Sequence, residues 1–115
     1  MLSKEEITEK IEDLHNTVEG IKAEEDNISN ELKVVLAGSE LQLIMLQSTL
    51  GQSEDKIKSL VEKFEARAVE LNEKYAAASL DNEMNEKRQL QAMIWTNDIR
   101  LDTLKWVLEI KDEAI

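Results

Sequence analysis

Residues 3–35 read SKEEITEKIEDLHNTVEGIKAEEDNISNELKVV, and in them apolar residues return in steps of four and three: Ile7, Ile11, Leu14, Val18, Ile21, Ile28, Leu32 and Val35. A mean step of 3.5 keeps side chains on one stripe of a helix, the seam along which helices pair. With Ile7 at heptad position d, Ile11, Val18 and Leu32 fall at a, and Leu14, Ile21, Ile28 and Val35 at d. Glu25 takes the remaining a position, where a charge either fixes partner choice at a cost in stability or marks a place where the seam opens. Ser3 followed by Glu6 has the form of a capping box, which predicts a helix beginning near residue 4.

The rest of the chain carries the same signature. It has no proline and three glycines among 115 residues, with 34% charged and 42% hydrophobic. That composition removes the usual punctuation of strands, is too apolar for disorder and is too charged for a bilayer. One all-α domain spanning 1–115 is expected. The net charge of −11 opposes phosphate backbones and anionic lipid, so neither nucleic acid nor membrane is expected as a partner. Without cysteine there are no disulfides, thiolate metal sites or cysteine nucleophiles. Met1-Leu2-Ser3-Lys4-Glu5-Glu6 does not have the pattern of a cleavable signal, which leads to an expectation of cytoplasmic location, or of export by an apparatus that needs no such signal.

After Leu32 the cadence changes phase. Leu36, Leu43 and Leu50 form a new a series with Leu46 at d, equivalent to a four-residue stutter, and Gly38-Ser39 stand at that point as a bend or short break. Leu41 to Leu50 is the most apolar window, with Leu43, Ile44, Met45 and Leu46 consecutive, so that it covers every side of a helix and is expected to be buried from several directions. Gly51-Gln52-Ser53 is the best chain break: glycine suits the position after a helix, and Ser53 can cap the next one. The second heptad series runs Ile57, Val61, Phe64, Ala68, Leu71, Tyr75, Ala78. Its frame fails after Ala78, and a second turn is expected near 79–82. The last seam, Leu90, Ile94, Leu101, Leu104, Leu108 and Ile115, is interrupted by Asn97 and Lys111. Trp106 and Ile99 lie opposite it, with Trp95 and Ile110 nearby, so this helix has two apolar faces and must be central in a bundle or offer one face to another chain.

Two patterns invite chemistry. Glu12-x-x-His15 has the spacing with which di-iron helical bundles aim ligands inward, but the chain has a single histidine and the heptad frame places the pair outside the seam. Glu83-x-x-Glu86 followed by Glu109-x-x-Asp112 is similar in spacing to the acidic motifs that hold Mg²⁺ in all-helical nucleoside-triphosphate pyrophosphohydrolases. With 25 acidic residues such spacings arise by chance, and solvated acidic surface is the preferred reading of both, as of the run Glu24-Glu25-Asp26. A metal-dependent carboxylate enzyme stays as the distant alternative.

The resulting expectation is an up-and-down bundle or coiled coil of three helices at 3–50, 54–78 and 82–113, the alternative being a long two-helix hairpin that dimerises. Its function is expected to be structural or in protein interaction, without catalysis, cofactor or metal. It should assemble with itself and bind another helical protein through Leu43, Ile44, Leu46, Leu50, Trp95, Ile99, Trp106 and Ile110. A small acidic chaperone or adaptor of a secretion or phage assembly system shares this composition and is the nearer alternative.

Overall fold

The computed structural model describes residues 1–24, 28–80 and 84–109. These residues form four helices, α1 (Lys4–Lys22), α2 (Asn30–Thr49), α3 (Glu54–Leu80) and α4 (Met84–Val107), packed as an up-and-down bundle. Four helices correct the expectation of three, and equally that of a two-helix hairpin. The segment expected as one helix over 3–50 is two: α1 ends at Lys22 with Ala23 as its cap, and α2 begins behind Ser29, whose hydroxyl accepts the Leu32 N–H at 3.2 Å. Periodicity concealed the break because Ile21, Ile28 and Leu32 keep heptad phase across it. The opposing signal was Ser29 as a helix cap. Glu25, Asp26 and Asn27 lie outside the described residues, and with them the roles expected of Glu25 and of the acidic run.

The apparent stutter after Leu32 is then simply the register of a new helix, and Gly38-Ser39 lie within unbroken α2 rather than at a bend or break. Other local signals are realised as read. Ser3 Oγ accepts the Glu6 N–H at 3.1 Å while the Glu6 carboxylate accepts the Ser3 N–H at 3.3 Å, so two orphan donors are satisfied reciprocally. Between α2 and α3, Gly51 takes a φ of +84°, which a side chain would disfavour, and Ser53 Oγ accepts the Lys56 N–H at 3.2 Å. α3 runs to Leu80 and α4 starts at Met84, with 81–83 outside the described residues. α4 stops at Val107 rather than near 113, and Glu109 has a left-handed φ of 60°. Ile110, Lys111, Asp112 and Ile115 lie outside the described residues.

α4 packs on both α3 and α2, and α1 packs on α2. A helix with two apolar faces needs two neighbours, and its own chain supplies them. Ile7 and Leu14 of α1, Leu46 of α2, Ile57 and Val61 of α3, and Leu101, Leu104 and Val107 of α4 meet in one core, which Leu108 closes. Ile57, Leu104 and Val107 are wholly removed from water, and each stabilises the fold by about 1.5–3 kcal/mol. At ~1.5 Å per residue α3 and α4 outlast this core. Beyond it they pair with each other through Leu71, Ala78 and Leu90, with Tyr75 and Ile94 alongside.

Asn97 shows how the two long helices hold register. It occupies a seam position and is 2% exposed, and its Nδ2 donates to the Phe64 carbonyl of α3 at 3.0 Å. This donor is paired in one register and orphaned in others, so it selects among them, although Asn97 Oδ1 is buried without a partner among the described residues. Replacing this donor with a carboxylate sets a charge against the carbonyl at a position only 2% exposed. Asn97→Asp should therefore destabilise the fold at pH 7, by less than an isolated buried charge would because Arg67 and Arg100 line the same groove. Burial would raise the folded-state pKa of that Asp above its unfolded value near ~3.9. The penalty is therefore full above the folded pKa and fades as pH falls towards the unfolded one, where the neutral acid can donate. Thermal melts should show the gap between Asn97→Asp and wild type narrowing from pH 7 to pH 4; a constant gap would mean that water or the neighbouring Arg67 and Arg100 offset the burial.

Candidate functional site

Successive residues of a helix turn by 100°, which sets many of the apolar residues of α2 in two stripes, while Val35, expected in the seam, is 49% exposed and belongs to neither. Ser39, Leu43, Leu46 and Leu50 fall within ~60° and face the bundle: Ser39 and Leu46 are buried, and Leu43 and Leu50 pack partly buried against the main core. Val34, Ala37, Leu41 and Ile44 fall within ~80° on the other side. Val34 is 56% and Ile44 60% exposed, Ala37 is exposed, and Leu41 is half-buried. The window expected to be buried from several directions is therefore buried from one. In a bundle where α2 touches only α1 and α4 closely, no helix is left to cover its outer side.

α4 extends this apolar surface. Trp95 is 39% exposed and shares a shallow groove with Lys33, Val34 and Ala37. Its ring reaches α2 because Gly38 lies opposite: a Cβ there would stand 3.6 Å from Ile99 Cδ1 and 3.7 Å from Trp95 Cζ2. Trp95 and half-buried Ile99 are thus seated on one small residue, their inner edges on Gly38 and the outer edge of Trp95 in solvent. Trp106, 42% exposed, lies elsewhere, in a groove with Lys10 and Leu14 of α1, Gln42 and Leu46 of α2, and Asp102 and Thr103 of its own helix. Of the expected interaction residues, Ile44 and Trp95 share the outer surface, Trp106 is separate, and Leu43, Leu46, Leu50 and Ile99 face the bundle interior. Val34, Ala37 and Leu41 were missed. Their spacing of three, four and then three to Ile44 was the available signal, hidden in a window that is apolar at nearly every position.

The acidic residues are arranged differently. Glu5, Glu6, Glu9, Glu12, Asp13, His15 and Glu19 are exposed along α1, so Glu12 and His15 point away from the core. Glu86 and Glu109 are exposed, while Glu83 and Asp112 are outside the described residues. Among the described residues no three His, Asp or Glu side chains are gathered as a metal site would need. Cations answer a few acids on α3: Lys58 lies 3.8 Å from Glu54, Lys74 3.0 Å from Glu70, and Lys105 of α4 3.8 Å from Glu65. A hydrogen bond from Lys74, together with its charge, holds the Glu70 carboxyl below its ordinary value. These pairs lie at the surface, only Lys105 being half-buried, and contribute little to stability.

The chain matches no protein-family model, and neither the curated proteins nor the solved structures contain a match to it.

The seat at Gly38 carries a direct test. The contacts a Cβ would make there, at 3.6 to 3.9 Å, are ordinary van der Waals distances, and alanine is favoured over glycine inside a helix by about 1 kcal/mol. Gly38→Ala should therefore raise thermal stability, whereas Gly38→Leu should lower it by forcing Trp95 and Ile99 off α2. Destabilisation by alanine would show that α2 and α4 approach more closely than this.

Proposed function

We propose that the chain is a non-enzymatic structural or protein-interaction module that assembles with itself through helix packing and takes a helical protein partner. The observation that carries this reading is the outer face of α2. Val34, Ala37, Leu41 and Ile44 make a stripe at coiled-coil spacing, bordered by the Trp95 ring, on a protomer whose core is already complete without them. Contiguous exposed apolar surface on a folded protein is costly in water and marks contact sites. A half-exposed tryptophan held in place by its own fold suits such a site, because little side-chain entropy remains to be lost on binding.

The acidic surface complements this. Exposed carboxylates along α1 discourage indiscriminate association on that side, leaving the apolar stripe as the place where another chain can approach. Among the described residues no helix is long and apolar enough to cross a membrane, so the stripe is not part of a span.

Sedimentation equilibrium at tens of micromolar should give a mass well above the 13.2 kDa of one chain, and capture from the native host should recover a helical protein. A monodisperse monomer would remove self-assembly from this reading. If the host also yields no stoichiometric partner, the interaction module itself fails.

A further inference from the structure

We infer that the outer face of α2 is a two-fold contact in which a second copy of this chain lays its own α2 antiparallel on the first. The inference rests on the interaction reading above and names the occupant of that surface. The stripe Val34, Ala37, Leu41, Ile44 has steps of three, four and three, so its spacing is the same read from either end. Turned end for end about an axis near Ser39, it places Val34 opposite the second copy's Ile44 and Ala37 opposite the second copy's Leu41. A medium residue meets a larger one and the smallest meets a leucine, which makes the layers more even in volume than pairing like with like would. This is the self-complementarity that an isologous contact requires.

Charge points the same way. The chain carries a net −11, but between Leu32 and Ser53 its only charged residues are Lys33 and Glu40, one of each sign. Two copies approaching through α1 would set carboxylate against carboxylate, while through α2 they bring together a surface with no net charge. Lys33 and Glu40 both border the stripe, and reversal of one copy carries the lysine of each towards the glutamate of the other. A strongly basic partner helix would find no acidic rim along this stripe to recognise. Trp95, beside Val34 and Ala37 on each copy, then covers both ends of the paired helices.

The exposed position of Ile44 makes the test clean, because Ile44→Glu adds a charge on the surface of the protomer rather than in its core. Sedimentation equilibrium on wild type, Ile44→Glu and Val69→Glu, each with a circular dichroism melt, separates the alternatives. Val69 is equally exposed but lies on α3, away from the proposed contact. The expected result is a wild-type dimer that Ile44→Glu weakens by roughly thirtyfold or more, with helicity retained, and that Val69→Glu leaves unchanged. Orientation is read by exploiting a natural sequence without cysteine. Val34→Cys mixed with Ile44→Cys should give more product with a short thiol cross-linker than either variant alone. Cross-linking that is strongest for each variant alone means parallel helices and overturns the antiparallel contact. A dimer weakened by Val69→Glu but not by Ile44→Glu overturns the α2 contact while leaving self-assembly intact. A monomeric wild type that loses a captured host protein on Ile44→Glu overturns the second copy as occupant and keeps the interaction surface.

Discussion

The requirement that α4 find a neighbour on each of two opposite apolar faces governs the bundle. Leu90, Leu101 and Leu104 make one face and Trp95, Ile99 and Trp106 the other, and a single neighbour cannot cover both. α3 takes the first, α2 covers the second in part, leaving Trp95 and Trp106 at its edges, and α1 completes the core on the same side of α2 as α4. Leu104 and Val107 lie at the convergence and are inaccessible to water. α2 is the helix with surplus: the contacts that satisfy α4 and α1 use one side of it, and its apolar residues occupy nearly all sides.

The seams were legible because each is long enough to average out exceptions. The series Ile57, Val61, Phe64, Ala68, Leu71, Tyr75, Ala78 is buried or half-buried at every position, as are Ile7, Ile11, Leu14, Val18 and Ile21 on α1. Caps at Ser3 and Ser53 were legible for a different reason, since they are settled by side chains within three residues and need no tertiary information. The break between α1 and α2 depends on competition between a continuous seam and a local cap, and periodicity sees only the seam. That the sequence suggested three helices follows from this one conflict.

The candidate site was legible in composition and illegible in direction. Leu43, Ile44, Met45 and Leu46 are consecutive, so no pattern distinguishes the residue facing α1 from the one facing solvent until the positions of α1 and α4 are known. Ile44 and Leu46 differ by two places and by 60% against 1% in exposure. Gly38 illustrates the same limit. Read locally it is a weak point in a helix, whereas in the fold it is the space that lets the Trp95 ring and the Ile99 side chain pack against α2.

The distribution of charge ties these observations together. Most protein surfaces intersperse both signs, but here carboxylates line α1 while the stretch from Leu32 to Ser53 is nearly bare of charge. Solubility alone does not require this, since moving a few carboxylates onto Val34 or Ile44 would spread the repulsion and also remove the exposed apolar area. A face kept both apolar and uncharged on an otherwise acidic molecule costs free energy in the isolated protomer, which in the proposed reading a covering chain recovers. Repulsion elsewhere then restricts the ways in which two molecules can meet. Under that reading acidity acts with the apolar stripe, setting where contact is excluded as the stripe sets where it is favoured.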